Sequence, residues 1–199
     1  MSHAYGNPHA WLTLRQMLGG GGKDGAMSDA EVEANVRAIV AGLATAGVEV
    51  VDCDPALADT AAFCAAYGYA PEDSANAIVV VGRSEPPVYV MCLVLATTRL
   101  DVNGAVRARL RAAHPGVKKA SFAPGDVTAT LTGMAIGGVT PFGARSLPIW
   151  VDDAVMQRQR IVVGGGSRGC KVVGPPAMLL ELPRVEVVVG LAQQVATAS

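Results

Sequence analysis

Between residues 28 and 43, apolar side chains recur at Val32, Val36, Ile39, Val40 and Leu43. This three-and-four spacing lays one stripe along a helix. Ser28 followed by Glu31 forms a capping box, so the pattern predicts a helix over 29–46. A short strand is expected at 48–51, then a second helix that Asp59 or Thr60 caps and Gly68 ends. Further on, the period shortens. Two apolar runs, 77–81 and 88–96, flank Gly82-Arg83-Ser84-Glu85-Pro86-Pro87, which predicts an antiparallel hairpin. Helices at 102–113 and 125–132 enclose a strand at 117–121. Strands at 148–152, 160–163 and 170–173, a short helix at 175–181 and a last strand at 185–189 complete the pattern. Helices scattered among short strands, without regular βαβ spacing, predict an α+β fold with a mixed sheet rather than a doubly wound one.

Residues 1–27 break this pattern. They contain Gly19 to Gly22 in a row, and only Trp11, Leu12, Leu14 and Met17 offer apolar anchorage. We read a flexible arm with one docked turn at 1–27, and a single folded domain over 28–195. The 199 residues are 51% hydrophobic but only 5% aromatic. The mean hydropathy of +0.35 comes largely from Ala and Val. No apolar run approaches the roughly 18 residues of a membrane span. The start of the chain lacks a charged segment followed by an apolar one, so no leader and a cytoplasmic location are expected.

Cys53, Cys64, Cys92 and Cys170 lie far apart and form no ligand spacing with the histidines, so neither metal nor cofactor is implied. Buried free thiols are the expectation for Cys64 and Cys92, whose neighbours are apolar. His3 and His9 fall in the arm and His114 precedes a proline, so no nucleophile–histidine pairing is visible. Charge is segregated although the net is only −1. Acidic residues dominate 24–76, whereas Arg99, Arg107, Arg109, Arg111, Lys118 and Lys119 face only Asp101. The basic segment is either a solvated helix face or a surface for a nucleic-acid backbone.

Two glycine-rich loops carry the candidate chemistry. In Leu131-Thr132-Gly133-Met134-Ala135-Ile136-Gly137-Gly138-Val139-Thr140-Pro141-Phe142-Gly143, glycines and a proline interrupt an apolar run. Such a loop exposes backbone N–H groups that can converge on an oxyanion, or it simply joins a helix to a strand. Gly164-Gly165-Gly166-Ser167-Arg168-Gly169 matches neither a Walker loop nor a dinucleotide fingerprint. It is either a hairpin loop or a second backbone wall of the same pocket, with Arg168 near a carboxylate or phosphate.

Glu72 to Val80, Lys118-Lys119-Ala120, Leu131-Thr132-Gly133, Gly137 to Gly143, Val151-Asp152 and Gly165 to Gly169 follow one another in a familiar order. With these motifs the chain resembles the YbaK/ProX family of aminoacyl-tRNA editing domains over roughly residues 30–192. The resemblance implies an α+β fold with a mixed, barrel-like sheet flanked by helices. It also implies hydrolysis of amino acids from mischarged tRNA, without a nucleophilic side chain. On the family pattern Gly137, Gly138 and Pro141 line the aminoacyl pocket beside the scissile ester. Asn76 occupies the place of a lysine that the family usually carries, and Gly164 stands where members often have a hydroxyl or histidine. Thr132, Gly133, Val139, Thr140, Gly165 and Arg168 belong to the same matched motifs and are substrate-binding candidates.

The residues themselves add Ser74, two before Asn76, and Thr98 with Arg99, whose charge is a candidate replacement for the missing lysine. Asp152 reads as a turn cap. Beside hydrolysis of a small-molecule ester unrelated to tRNA, which would use the same pocket without the Arg-rich face, two functions follow. One is a trans-acting deacylase that removes a small amino acid, alanine, serine, cysteine or proline, from the wrong tRNA. The other is a binding protein that kept the pocket and lost catalysis with the lysine.

Overall fold

The structure, a computed structural model, describes residues 27–144 and 146–195. In chain order its elements are α1 (Asp29–Ala41), β1 (Glu49–Asp52), α2 (Thr60–Tyr67), β2 (Ala75–Arg83), β3 (Val88–Leu95) and β4 (Thr98–Leu100). There follow α3 (Arg107–Ala113), β5 (Lys119–Phe122), α4 (Gly125–Thr132), β6 (Ile149–Asp152) and α5 (Asp153–Met156). Last come β7 (Ile161–Gly164), β8 (Cys170–Gly174), β9 (Val185–Val188) and β10 (Ala192–Gln194). The arm expected at 1–27 falls almost wholly outside the described residues.

Every residue of β3 is buried, as an unbroken apolar run requires of a strand covered on both faces. It is the middle of a five-stranded mixed sheet ordered β5-β2-β3-β6-β9. β2 pairs antiparallel with β3 and β5, while β6 runs parallel to β3 and β9. Tyr89, Met91, Leu93 and Leu95 turn to one face, where they meet Val36 and Val40 of α1 and Ile161, Val163 and Val172 of a second sheet. Val88, Val90, Cys92 and Val94 turn to the other, against Val102, Val106 and Leu110. The second sheet is antiparallel, β1-β8-β7, and a two-stranded ribbon pairs β4 with β10. The α+β class is as the sequence predicts, but the sheets do not close into a barrel: among the described residues the two larger sheets join only at a Ser74–Val162 bridge.

Local chemistry explains most boundaries. Ser28 and Glu31 form the expected capping box, with the Ser28 N–H 2.8 Å from the Glu31 carboxylate. The helix stops at Ala41 rather than 46 because Glu181 captures the chain beyond it. The carboxylate accepts the Ala44 N–H at 2.7 Å and the Thr45 N–H at 2.8 Å, and the Thr45 hydroxyl, together with these bonds, holds its pKa below the usual carboxylate range. Where one helix was expected over 102–113, residues Val102–Val106 form a π-helical turn. Asp101 causes it by accepting the Gly104 and Ala105 N–H groups at 2.9 and 3.1 Å. Residues Pro176–Glu181 form a 3-10 helix. β4, β10 and α5 have no counterpart in the sequence pattern.

Candidate active site

A cavity of about 390 Å³ opens where β2 outruns its neighbour. β5 covers β2 only from Val80 to Arg83, so the edge of its first half is unpaired. Ser74 offers its carbonyl to Ala96 beside β3, and Val79 offers its own to Ala123 on the opposite side. Strand alternation therefore turns the backbone groups of Ala77 away from β3 and toward the cavity. The other walls come from α2 and the residues before it, Thr128 of α4, Ile136, Gly137 and Val139, and β7 with Lys171 of β8.

The two glycine loops build one wall together. Gly138 accepts a hydrogen bond from the Gly166 N–H at 2.7 Å. A Cβ on Gly138 would lie 2.4 Å from the Ser167 carbonyl, and one on Gly164 would lie 2.4 Å from that of Val139. Two backbones this close leave room for no side chain. Gly137, at φ 92°, occupies the third position of a turn closed by the Gly138 N–H on Ala135 at 3.0 Å. The Thr140 N–H is directed at the Met134 sulfur. That leaves the N–H groups of Gly137 and Val139, both residues lining the cavity, without a partner among the described residues.

Several structural bonds hold this wall. Ser167 donates its hydroxyl to Glu33 on α1 and accepts the Gly169 N–H at 2.8 Å. Arg168 donates to the Pro55 carbonyl at 3.0 and 3.1 Å and to Asp59 at 3.4 Å, so its guanidinium ties the loop to the start of α2, with Nη1 2.8 Å from where a Cβ on Gly137 would lie. Thr132 and Gly133 end α4: the Thr132 hydroxyl donates to Thr128 at 2.8 Å, and Gly133 caps the helix at φ 71°. Gly138, Thr140, Pro141 and Gly165 are buried and, contrary to the sequence expectation for Gly138 and Pro141, do not line this cavity. The Thr140 hydroxyl has no hydrogen-bond partner among the described residues.

Of the remaining sequence candidates, Ser74 and Asn76 reach the cavity together with Gly137, Val139 and Gly164. Ser74 is 4% exposed and its hydroxyl lies 3.2 Å from the Cys64 sulfur. Arg158 braces the turn before it through Asp73, at 2.7 and 3.0 Å. Asn76 is exposed at the lip, and its amide bonds no described residue. Thr98 and Arg99 belong to the β4–β10 ribbon, where the Thr98 hydroxyl donates to Leu95 at 2.8 Å, and they do not line the cavity. Asp152 is buried and caps α5 through Ala154, while its second oxygen accepts the Ala192 N–H at 2.9 Å. Its role is to join sheet and ribbon.

Two polar residues of the lining, Thr128 and Lys171, were not singled out from sequence. Thr128 is buried with its hydroxyl unused by any described residue. Lys171 is 7% exposed, and its Nζ donates to the Ala58 carbonyl at 2.7 Å and stands 5.8 Å over the Phe63 ring. Burial, assisted by the Arg168 charge, pushes its ammonium below the usual lysine range, against opposing effects of Cys53, Asp59 and Cys170. The signal was a lone charge in an otherwise apolar strand, Cys170-Lys171-Val172-Val173.

All four cysteines are buried free thiols. Burial raises the Cys170 thiol to about 11 and raises that of Cys53. No group of three metal-ligating side chains assembles among the described residues. No described helix is long and apolar enough to cross a membrane. On the surface Arg109 pairs with Glu186 and stacks 5.2 Å from the Trp150 ring. Arg107, Arg111, Lys118, Lys119 and Arg83 are exposed without an ion pair among the described residues.

A family model described as an aminoacyl-tRNA editing domain matches residues 54–182. No curated protein matches the sequence significantly. Among solved structures, one described as a candidate trans-editing enzyme for prolyl tRNA synthetase is similar at 22% identity and a TM-score of 0.67. The match covers 82% of this chain and 98% of that one. A scaffold protein used for epitope grafting by computational design is similar at 20% identity and a TM-score of 0.66, with the same coverage. At these identities the likeness establishes the fold.

Proposed function

Because the chain belongs to the aminoacyl-tRNA editing domain family, we propose that it is a trans-acting deacylase that hydrolyses a small amino acid from a mischarged tRNA. The observation that carries this reading is that Gly137 and Val139, two residues lining the cavity and held by interlocked backbones, have N–H groups that no described residue uses. An aminoacyl ester is already activated, so fixed dipoles aimed at the developing oxyanion are the main requirement. A water, with or without assistance from a ribose hydroxyl, supplies the oxygen that bonds to the ester carbonyl carbon. The carbonyl electron pair moves onto its oxygen, and collapse expels the ribose oxygen, which takes up the proton that water gave up. Amino acid and free tRNA leave. No covalent enzyme intermediate forms, in keeping with a site that holds no paired nucleophile and base.

Charge placement supports the tRNA. Arg83 and Lys119 are cross-strand partners on the β2–β5 ribbon, with Lys118 beside them. Like charges facing each other repel unless an anion lies between them. They stand four strand residues from Val79 at the cavity, about 13 Å away at the rise of an extended chain. That is a suitable distance for the backbone phosphates behind a terminal aminoacyl group. A second reading, binding without hydrolysis, is favoured by the neutral Asn76 amide at the lip. Purified protein incubated with tRNAs charged with alanine, serine, cysteine and proline decides between them. Release of one amino acid well above buffer supports the deacylase. Salt-sensitive tRNA binding with no release from any pair gives the second reading.

A further inference from the structure

Only two of the residues lining the cavity, Asp59 and Lys171, carry charge. Asp59 is exposed and already faces the Arg168 guanidinium at 3.4 Å. Lys171 is different. An ammonium has three donors, and this one spends a single bond on the Ala58 carbonyl while buried to more than nine-tenths. A buried charge satisfied so sparsely is destabilising, and the fold retains it beside a cavity. Its place in the sheet sets its reach. Lys171 is the cross-strand partner of Gly164, the glycine that packs against the Val139 carbonyl. With no side chain at Gly164, that cross-strand partner places nothing between the lysine stem and the Gly137–Val139 loop.

We propose that Lys171 is the cation of the site and donates a hydrogen bond to the carbonyl oxygen of the aminoacyl ester, sharing the charge that develops there with the N–H groups of Gly137 and Val139. It thus supplies from β8 the positive charge that Asn76 does not supply from β2. The lysine keeps its proton throughout: water adds to the carbonyl carbon, the ribose oxygen leaves, and the ammonium is unchanged at the end. This assignment rests on the deacylase reading.

The test compares wild type with Lys171→Met on two substrates: the charged tRNA that wild type hydrolyses, and the methyl ester of the same amino acid, which has no phosphate or base. Removing one oxyanion donor lowers kcat by about 10²-fold. That loss is expected on both substrates, with KM changed by less than about threefold and the melting temperature preserved. Should the variant not fold, Lys171→Gln keeps a donor for Ala58 without the charge and carries the same expectation. Turnover within about threefold of wild type, or a loss confined to the tRNA, overturns the proposal; the latter outcome makes Lys171 a phosphate ligand.

The pH profile adds a readout that a packing role would not move. The ammonium acts only when protonated, so the wild-type rate, corrected for spontaneous hydrolysis, declines as pH rises through a value below the ordinary lysine range. Lys171→Arg lacks that decline. The groups facing Lys171 are Asp59 before α2, Arg168 in the loop, Cys53 after β1 and Cys170 on β8, and both thiols titrate above their ordinary range. If wild type hydrolyses nothing, the deacylase reading fails and calorimetry with a 3′-aminoacylamido adenosine decides this one. Affinity at least about tenfold weaker in Lys171→Met supports the cation. Equal affinity, or no binding by either protein, overturns it.

Discussion

The two walls of the cavity are built on opposite principles. One is backbone: Gly137 to Val139 lies against Gly164 to Ser167 so closely that a single Cβ on Gly138 or Gly164 would meet a carbonyl at 2.4 Å. The other is side chain: Ser74, Asn76, Thr128 and Lys171 project from a strand edge, a helix and a second sheet. A backbone wall has its donors fixed before any ligand arrives, which suits charge that appears only during reaction. A side-chain wall is adjustable, and one position can compensate for another. The contrast leaves Asn76, exposed and bonded to no described residue, free to vary, while Gly138 and Gly164 have no room for a side chain.

The largest expected effect comes from breaking the backbone wall. Gly138→Val forces apart two main chains that no rotamer can relieve. We expect deacylation to fall by more than about 10²-fold and stability by roughly 1–3 kcal/mol. Gly47→Ala is the matching control. Gly47 has φ 76° with nothing within 4 Å of a Cβ, so alanine there costs about 1 kcal/mol of stability through backbone strain alone and leaves kcat unchanged. Equal loss of activity in both variants, measured at matched folded fraction, would remove the special role of the interlocked loops.

The same contrast decides what sequence could reveal. Glycine loops are visible because their composition is unusual, and Gly137, Val139 and Gly164 do reach the cavity. The helix cap at Ser28 and the β2–β3 hairpin are local and were equally readable. What escaped notice depends on distant partners. Glu181 ends α1 from 136 residues away, and β4 and β10 exist only because Thr98 to Leu100 find Ala192 to Gln194. Arg168 looked like a ligand group because charge beside glycines suggests phosphate, yet its donors serve Pro55 and Asp59. Lys171 escaped for the opposite reason: a lone charge in an apolar strand marks an unusual residue but not its surroundings, and only tertiary structure sets it against a cavity.

Next in size is the basic ribbon. If Arg83, Lys118 and Lys119 hold phosphates, replacing all three by alanine weakens tRNA binding. The slope of log affinity against log salt should fall by about 0.7–0.9 for each phosphate no longer neutralised, while hydrolysis of a small methyl ester stays the same. An unchanged slope would place the tRNA on a different face.

A smaller effect is expected on the side-chain wall itself. Asn76→Ala removes an amide that bonds no other described residue, so the protein loses no internal hydrogen bond. If the amide meets substrate, the loss is that of one neutral hydrogen bond, about 1 kcal/mol or some fivefold in kcat/KM. A change beyond about 10²-fold would show that the site's chemistry, and not only its grip, depends on Asn76.

The smallest effect separates two cations that sequence alone treats alike. Arg99 follows the apolar β3 run and invites the reading that its charge turns into the pocket, as Lys171 does. In the fold it stands exposed on β4, opposite Gln193 of β10, in a ribbon that contributes nothing to the cavity lining. A charge there is solvated, and its removal disturbs neither packing nor the field at the ester. Arg99→Ala should alter stability by less than about 0.5 kcal/mol and leave the deacylation rate within error of wild type. A rate loss at Arg99 comparable to that of Lys171→Met would mean that charge reaches the ester from outside the cavity, and the distinction between the two walls would have to be given up.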